Sequence, residues 1–207
     1  MHAATRSIGL VAGLLMAVAP EIGRAGDWST GDVGDQLPAP PSVYLLVGGG
    51  VTDFTRSVVK DRFGVGGAWD LRLGIGSRSY VGGEVAYVGS FRRGAGADPD
   101  LGSSGAEGVL RLQVPYAVRG WLVEPFVFGG IGWSHLSLRN AAPDVKSTDD
   151  IGVIPFGGGL TVGYGNLLLD ARFTYRSSFS EDLAVAAGPG SKDFSQWGIS
   201  ASVGYEF

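Results

Sequence analysis

The last twelve residues of the sequence, 196–207, alternate between two kinds of side chain without a break in phase. One set is apolar and consists of Trp197, Ile199, Ala201, Val203, Tyr205 and Phe207. The other set is small or polar and consists of Gln196, Gly198, Ser200, Ser202, Gly204 and Glu206. A two-residue period is that of a β-strand, because successive side chains point to opposite faces. The length and the aromatic residues near both ends are typical of a membrane-crossing strand, although a soluble sandwich or lipocalin-like barrel would show the same alternation.

The amino terminus has the features of an export signal. Arg6 precedes an apolar stretch at 8–19, and the small residues Gly23 and Ala25 stand before a cleavage site at Gly26. This stretch is too short to span a bilayer as a helix, so we expect residues 1–25 to be removed rather than retained as an anchor. Residues 26–41 are polar and end in a proline cluster, which predicts a periplasmic linker without a core.

Alternating segments predict eight strands in all. The segments are 42–52, 66–76, 80–89, 107–114, 121–134, 151–164, 167–176 and 196–207. The connections alternate in length: 53–65, 90–106, 135–150 and 177–195 are long, whereas 77–79, 115–120 and 165–166 are short. Outer-membrane barrels sort their connections in this way, with short periplasmic turns and longer extracellular loops. The pattern predicts an all-β, eight-stranded, antiparallel up-and-down transmembrane barrel over 42–207, with both of its ends on the periplasmic side.

The polar faces of these strands carry acids and arginines among small residues. The charged positions are Asp70, Arg72, Glu84, Arg111, Asp170, Arg172 and Glu206. Lysine, which is common on solvated faces, occurs only at 60, 146 and 192, all in predicted loops. Eight strands enclose an interior just wide enough for side chains, and charges buried there must be paired. We therefore expect these seven residues to form a salt-bridge network that plugs the lumen; on a soluble protein they would be an ordinary solvated face.

Composition excludes several classes of function. The sequence has 16 Lys and Arg against 20 Asp and Glu and no basic stripe, so nucleic acid is not an expected partner. It has no cysteine and two histidines, one of them inside the export signal, which excludes a disulfide framework and a Cys/His metal site. No glycine cluster lies in a phosphate-binding context, and we expect no cofactor.

Three stretches resemble the family of eight-stranded outer-membrane β-barrels that includes the OmpA transmembrane domain and OmpX. They are EPFVFGGIGW at 124–133, FGGGLTVGYGNLLLDARFTYR at 156–176 and SVGYEF at 202–207. The last is similar to the outer-membrane assembly signal, in which a terminal aromatic residue follows apolar residues at alternating positions. The resemblance implies that Val203, Tyr205 and Phe207 are read by the assembly machinery, and that outer-membrane lipid and lipopolysaccharide surround the barrel.

One pair of residues indicates an alternative chemistry. His135 and Ser137 resemble the H-x-S element of outer-membrane lipid A deacylases, in which serine is the nucleophile and histidine the base. The carboxylates available to orient the histidine are Asp144, Asp149 and Asp150. Leu138 stands where that motif has an asparagine, and the pair lies in a predicted loop.

We therefore expect a non-enzymatic protein with a structural or surface-interaction role through four extracellular loops and an unknown extracellular ligand. The deacylase, a small-solute channel or ligand-binding barrel, and a soluble periplasmic carrier are the alternatives.

Overall fold

The computed structural model describes residues 42–55, 64–94, 100–139, 148–179 and 195–207. They form nine strands: β1 (Ser42–Phe54), β2 (Gly66–Ser77), β3 (Val81–Arg92), β4 (Asp100–Gln113), β5 (Tyr116–Val118), β6 (Trp121–Arg139), β7 (Thr148–Tyr164), β8 (Leu167–Phe179) and β9 (Gln196–Glu206). The predicted export signal and linker, residues 1–41, lie outside the described residues. Within the described ranges, no helix is long and apolar enough to cross a membrane.

The strands form one antiparallel sheet that closes on itself. The order around the sheet is β4-β3-β2-β1-β9-β8-β7-β6-β5, and β4 also pairs with β6. The three-residue β5 pairs with β6 beside the β4 pairing, so it continues β4 beyond Pro115, which has no N–H to give to the ladder. Because β4 and β5 act as one strand, the predicted eight-stranded, all-β, antiparallel barrel is confirmed.

The register of the strands fixes their tilt. From Val43 the paired positions run through Ile75, Gly83, Leu110, Gly129, Phe156, Tyr175 and Trp197 to Asp53. One circuit of the barrel therefore returns to β1 ten residues farther along. This offset corresponds to a strand tilt of about 40° and a rise of about 2.5 Å per residue along the barrel axis.

The outer wall is apolar and carries aromatic residues near both rims. Thirty-three large apolar side chains are exposed in the described residues, far more than a soluble monomer exposes in one continuous belt. Along the barrel axis, Trp121 and Trp133 of β6 lie about 30 Å apart, and Trp197 and Phe207 about 25 Å apart. These separations match the apolar band between the aromatic girdles of outer-membrane barrels. The belt therefore faces membrane hydrocarbon, and the polar faces line the lumen.

The two ends of the barrel differ in length. Short turns join β2 to β3, β5 to β6 and β7 to β8 at one end, the turn end, where β1 begins and β9 ends. At the opposite end, the loop end, β6 with its 19 residues and β7 with its 17 extend farthest. Nineteen residues cover about 45 Å along the axis, whereas the hydrocarbon core is about 30 Å thick. The loop end of the wall therefore extends beyond the membrane.

All four predicted long loops are too long. The difference is small where β1 continues to Phe54 and β8 to Phe179, and larger in the other two. The structure continues β3 to Arg92 and begins β4 at Asp100, inside the predicted loop 90–106. It also continues β6 to Arg139 and begins β7 at Thr148, inside the predicted loop 135–150. These segments resemble loops in sequence because they are rich in polar residues. Their backbones nevertheless continue the strand pairing, and Leu101, Leu136 and Leu138 point inward and are buried. His135 and Ser137 are consequently strand residues.

Candidate functional site

Six of the seven charged positions predicted for the lumen meet in the middle of the barrel. The central charge cluster, as we call it, consists of Asp70, Arg72, Glu84, Arg111, Asp170 and Arg172 from β2, β3, β4 and β8. Each of these residues is at most 4 % exposed. Three carboxylates face three guanidinium groups, so the formal charges of the cluster cancel.

Glu84 is the residue that joins the cluster together. Its Oε1 accepts hydrogen bonds from the Tyr44 hydroxyl at 2.8 Å and from Arg111 Nη1 at 3.1 Å. Arg172 donates from Nη1 to Oε2 at 2.9 Å and from Nη2 to Oε1 at 3.3 Å. Arg72 Nη1 lies 3.7 Å from Oε2. One carboxylate on β3 thus faces all three arginines of the cluster.

Both aspartates of the cluster also accept hydrogen bonds from an arginine and from a hydroxyl group. Asp170 accepts from Arg172 Nε at 2.7 Å and Nη2 at 3.0 Å, and from the Thr161 hydroxyl at 2.9 Å. Asp70 accepts from Arg72 Nε at 3.2 Å and from the Ser202 hydroxyl at 3.1 Å. A charge that is removed from water needs such partners of opposite charge and such hydrogen bonds.

Two inward phenylalanines support the arginines from one side. The guanidinium carbon of Arg111 lies 3.7 Å from the ring centroid of Phe126, and that of Arg172 lies 5.1 Å from Phe126 and 5.4 Å from Phe128. The rings fit because Gly159 and Gly157 are their register partners on β7. A Cβ at Gly159 would collide with the tip of the Phe126 ring, and one at Gly157 would crowd the tip of the Phe128 ring. The alternation places Phe126 and Phe128 on the polar face of β6, but sequence reasoning did not give them a role in the lumen.

Glu206, the seventh predicted lumen charge, does not join this cluster. It lies at the turn end, where it pairs with Arg78 Nη2 at 2.7 Å and accepts a hydrogen bond from Ser77. Glu124, which is fully buried, accepts a hydrogen bond from the backbone N–H of Arg78 at 2.7 Å. These residues form a second polar group just inside the turn end, and Arg78 and Glu124 were not among the predicted lumen residues.

A small polar cavity lies above the central charge cluster, on the side of the loop end. Its volume is about 40 Å³, and Thr52, Ser90, Thr174 and Gln196 are among its lining residues. Glu107 and Arg176, a bidentate ion pair that the sequence did not single out, also line it. Arg72 also lines this space, and its Nη1 makes no hydrogen bond to a described residue. A cavity of this size has room for a few water molecules at about 10–15 Å³ each.

A cluster of apolar side chains lies in the lumen at the loop end. Six buried side chains form the loop-end apolar cluster: Phe54, Leu101, Leu136, Leu138, Ile151 and Val153. All six belong to the parts of β1, β4, β6 and β7 nearest the loops. The cavity therefore lies between the central charge cluster and the loop-end apolar cluster, beside which the charged residues Asp53, Arg92 and Asp149 are also buried.

The candidate catalytic pair lies outside the lumen. His135 and Ser137 are half-buried on the outer face of β6, above Trp133. His135 Nδ1 lies 2.8 Å from Asp150 Oδ1, whereas Asp149 is buried on the opposite face and Asp144 is outside the described residues. Among the described residues, no hydrogen bond joins His135 to Ser137. The structure therefore provides the histidine and one carboxylate without the link to the nucleophile.

The three residues of the predicted assembly signal share the outer face at the turn end. Val203, Tyr205 and Phe207 are exposed there, and the rings of Tyr205 and Phe207 meet edge to face with centroids 5.2 Å apart. The backbone N–H of Phe207 donates to the carbonyl of Val43 at 2.8 Å, which fastens the end of the chain to β1 at the closing seam of the barrel.

The described residues contain no group of three or more His, Cys, Asp or Glu side chains placed to hold a metal ion.

Three solved structures are similar to this barrel. Neisserial surface protein A (NspA) is 15 % identical with a TM-score of 0.53, and the match covers 82 % of this chain and 100 % of NspA. The N-terminal β-barrel domain of Pseudomonas aeruginosa OprF is 14 % identical, with a TM-score of 0.46 and coverage of 80 % and 97 %. Ail, the attachment invasion locus protein of Yersinia pestis, is 11 % identical, with a TM-score of 0.45 and coverage of 81 % and 97 %.

No protein-family model and no curated protein matches the sequence. At this low identity, the likeness to NspA bears on the fold alone, which is that of an eight-stranded outer-membrane β-barrel.

Proposed function

We propose, with the eight-stranded outer-membrane fold as the premise, that this chain is a non-enzymatic barrel whose lumen is closed. Its role would be structural, or would consist of surface interaction through the loop end. In this proposal the turn end faces the periplasm and the four long connections face the exterior. The lipids of the outer membrane surround the belt, and the assembly machinery inserts the barrel.

The central charge cluster is the observation that carries the proposal. Arginines from β2, β4 and β8 converge on Glu84 of β3, and ring contacts to Phe126 fill the space beside them. A passing ion or solute would have to separate pairs that are almost completely buried. Removing one partner of such a pair leaves an uncompensated charge in the interior, which costs about 3–5 kcal/mol.

The loop-end apolar cluster supports the same conclusion independently. Leu101, Leu136 and Ile151 meet inside the part of the wall that extends beyond the membrane. An ion that reached the cavity from outside would have to pass these apolar side chains, which cannot replace its hydration shell, and the buried charged residues beside them. The central charge cluster and the loop-end apolar cluster thus both support a lumen that does not conduct ions.

The extended wall supports the surface role. The β6–β7 hairpin projects about 15 Å past the hydrocarbon core if the girdles mark its limits. A rigid projecting wall that carries loops at its rim is a common arrangement for recognition. The chemistry of the partner would depend on those loops.

Swelling of liposomes tests the closed lumen. Full-length protein refolded into phospholipid vesicles that contain an impermeant sugar polymer is diluted into isotonic solutions of small sugars or amino acids. We expect the vesicles to swell no faster than protein-free vesicles. Size-dependent swelling would support the small-solute channel and would contradict the proposal.

A lipid A deacylase is the competing function, and the His135–Asp150 contact at 2.8 Å is the observation in its favour. We expect purified protein in detergent to leave lipid A intact. Release of a fatty acid by the wild type, abolished in Ser137→Ala, would contradict the non-enzymatic proposal.

A further inference from the structure

The lumen at the turn end holds more negative than positive charge. The turn-end polar group, as we call it, consists of Ser77, Arg78, Gln113, Glu124 and Glu206. It contains two carboxylates and one guanidinium group, so its formal charge is −1. Both carboxylates are buried, with Glu124 0 % exposed and Glu206 2 % exposed. The central charge cluster differs, because its three carboxylates and three guanidinium groups cancel.

Three side chains of this group come from three strands and meet at one stretch of backbone, residues 76–78. Gln113 of β4 donates from Nε2 to the carbonyl oxygen of the first of these residues at 2.6 Å. Glu206 of β9 accepts a hydrogen bond through Oε1 from the hydroxyl of the second. Glu124 of β6 accepts one through Oε1 from the N–H of the third at 2.7 Å. Because these partners are consecutive residues, the ends of the three side chains lie close together.

Each of the three side chains has a second oxygen without a hydrogen-bond donor. Gln113 Oε1, Glu124 Oε2 and Glu206 Oε2 are the three buried carboxylate or amide oxygens that lack such a donor among the described residues. Glu206 Oε2 is paired by charge with Arg78 Nη2, which lies 2.7 Å away. Glu124 has no guanidinium partner of this kind. Burial of acceptors and of a net charge without compensation is unfavourable.

Neighbouring side chains do not supply the missing positive charge. Arg111 lies deeper in the lumen, where its Nη1 and Nη2 donate to Glu84 at 3.1 Å and to Thr161 at 2.7 Å, and its charge is balanced within the central charge cluster. Arg119, in the turn between β5 and β6, is exposed. Residues 26–41, which precede β1 at this end of the barrel, contain no lysine or arginine. The compensating charge therefore has to come from solution.

We propose that the turn-end polar group binds one monovalent metal cation, with sodium as the expected ion. Carboxylate and amide oxygens are the ligands that hard cations prefer. Gln113 Oε1, Glu124 Oε2 and Glu206 Oε2 provide three such ligands, two of them from carboxylates. One positive charge brings the formal charge of the group to zero, whereas a divalent ion would leave it at +1. The bound ion ties β4, β6 and β9 to the turn between β2 and β3.

Other partners compensate the group less completely. A water molecule would donate hydrogen bonds to these oxygens but would leave the net charge in place. A proton on Glu124 would remove the charge, but its single O–H would reach only one further oxygen.

Unfolding equilibria of the full chain test the inference. Protein refolded into phosphatidylcholine vesicles is unfolded with urea in mixtures of sodium chloride and choline chloride at constant ionic strength, so that charge screening does not change. A cation that binds only the folded state lowers the unfolding equilibrium constant in proportion to its free concentration once the site is filled. We expect a decrease that approaches about tenfold for each tenfold increase in sodium, the limit for one bound ion.

Glu124→Gln separates this effect from general stability. The variant loses the excess negative charge, keeps an acceptor for the N–H of Arg78 and gains an amide N–H that can donate to Gln113. We expect it to be at least as stable as the wild type in choline and to lose the sodium dependence. Glu107→Gln is the matched control, because Glu107 is a buried lumen glutamate that lines the polar cavity instead of the turn end. It should keep the sodium dependence whatever its stability.

Sodium NMR measures binding without unfolding. The resonance of sodium ions broadens when the ions exchange with a site on a slowly tumbling protein. For barrels refolded into micelles of a zwitterionic detergent, we expect the wild type and Glu107→Gln to broaden the resonance beyond the level of protein-free micelles. Glu124→Gln should not.

Four results would each overturn the inference. Equal stability in sodium and choline, without extra broadening, would mean that no cation binds. Stability that does not respond to sodium and falls as the pH rises would mean that a proton neutralises Glu124 in the folded state. A response to magnesium chloride but not to sodium would mean that the ion is divalent. Sodium dependence that persists in Glu124→Gln would mean that the ion binds elsewhere.

Discussion

Glu84 illustrates how this barrel accommodates charge in its interior. The residue is 4 % exposed and yet faces the hydroxyl of Tyr44 and three arginines from three different strands. A buried ion pair of this kind adds little net stability over a well-packed apolar core, but it makes the structure intolerant of losing one partner. The glycine at position 74 leaves room for the ring of Tyr44, because an added Cβ there would collide with that ring.

Replacement of Arg172 is the sharpest test at the residue scale. Arg172→Leu leaves Glu84 and Asp170 without their main donors, and we expect the free energy of unfolding to fall by about 3–5 kcal/mol. Arg72→Leu should cost less, because Arg72 makes one hydrogen bond to the cluster, from Nε to Asp70. Arg93→Leu is the control: Arg93 is exposed, and we expect a change within about ±0.5 kcal/mol. Urea unfolding of barrels refolded into lipid vesicles measures all three.

An Arg172→Leu protein as stable as the wild type would show that this guanidinium is solvated. It would restore the soluble, lipocalin-like interpretation of the polar faces.

Individual lumen contacts could be predicted from sequence only in part. Alternation assigns Asp70, Arg72, Glu84, Arg111, Asp170 and Arg172 to the polar faces, but it does not say at what height each residue lies. The offset of ten residues per circuit brings Arg172 level with Glu84, although 88 residues separate them. The pairing of Arg176 with Glu107 depends on the same offset, which no local pattern contains. The run of glycines at 157–159, which pairs with the segment around Phe126 and Phe128, could have indicated from sequence that these two rings need space inside the barrel.

At the scale of single strands, β6 and β7 show where sequence reasoning goes wrong and why. The segments 135–139 and 148–150 contain Ser, Asp, His and Thr, residues that favour turns and loops when they are judged by composition. Their inward positions contribute Leu136, Leu138 and, just beyond, Ile151 to the loop-end apolar cluster. Burial of these residues and continued strand pairing outweigh the local preference. The element type was right and its boundary was wrong.

Strand β9 carries the prediction that belongs to this scale. Deletion of Phe207 removes one exposed ring, worth roughly 1.5–3 kcal/mol of burial, and one hydrogen bond to Val43. We expect refolding into detergent to remain nearly intact and the amount of protein in the outer membrane of cells to fall sharply, because the assembly machinery would read this ring. Phe179→Ala is a suitable control, since Phe179 ends a strand at the other rim with the same exposure of 47 %.

Refolding yield and membrane fractionation are compared for both variants. Outer-membrane levels that are normal without Phe207, or equally reduced in Phe179→Ala, would count against a specific assembly signal.

The whole molecule is a closed barrel with chemically distinct layers along its axis. A polar group at the turn end is followed by the central charge cluster, the polar cavity and the loop-end apolar cluster. The fold itself could be predicted from sequence, because the two-residue alternation, the alternation of long and short connections and the number of strands all depend on local patterns. The layering could not, because it arises from the closure and tilt of the sheet. The export signal and the linker stay predictions.

Orientation in the membrane is a property of the whole molecule, and the absence of cysteine from the sequence makes it easy to measure. Arg139→Cys places a thiol on the exposed end of β6 at the loop end, and Val118→Cys places one on exposed β5 at the turn end. On intact cells, a membrane-impermeant maleimide should label Arg139→Cys, whereas Val118→Cys should react only after the outer membrane is permeabilised. The reverse pattern would mean that the turn end faces outward.

Single-barrel conductance in a planar lipid bilayer tests the closed lumen most directly. Full-length protein is first checked for folding by its heat-modifiable migration on a gel and is then inserted at low density under an applied voltage. With the central charge cluster and the loop-end apolar cluster both intact, we expect no current steps above those of the bare bilayer. Steady, ion-selective current steps from the folded wild-type barrel would contradict the account.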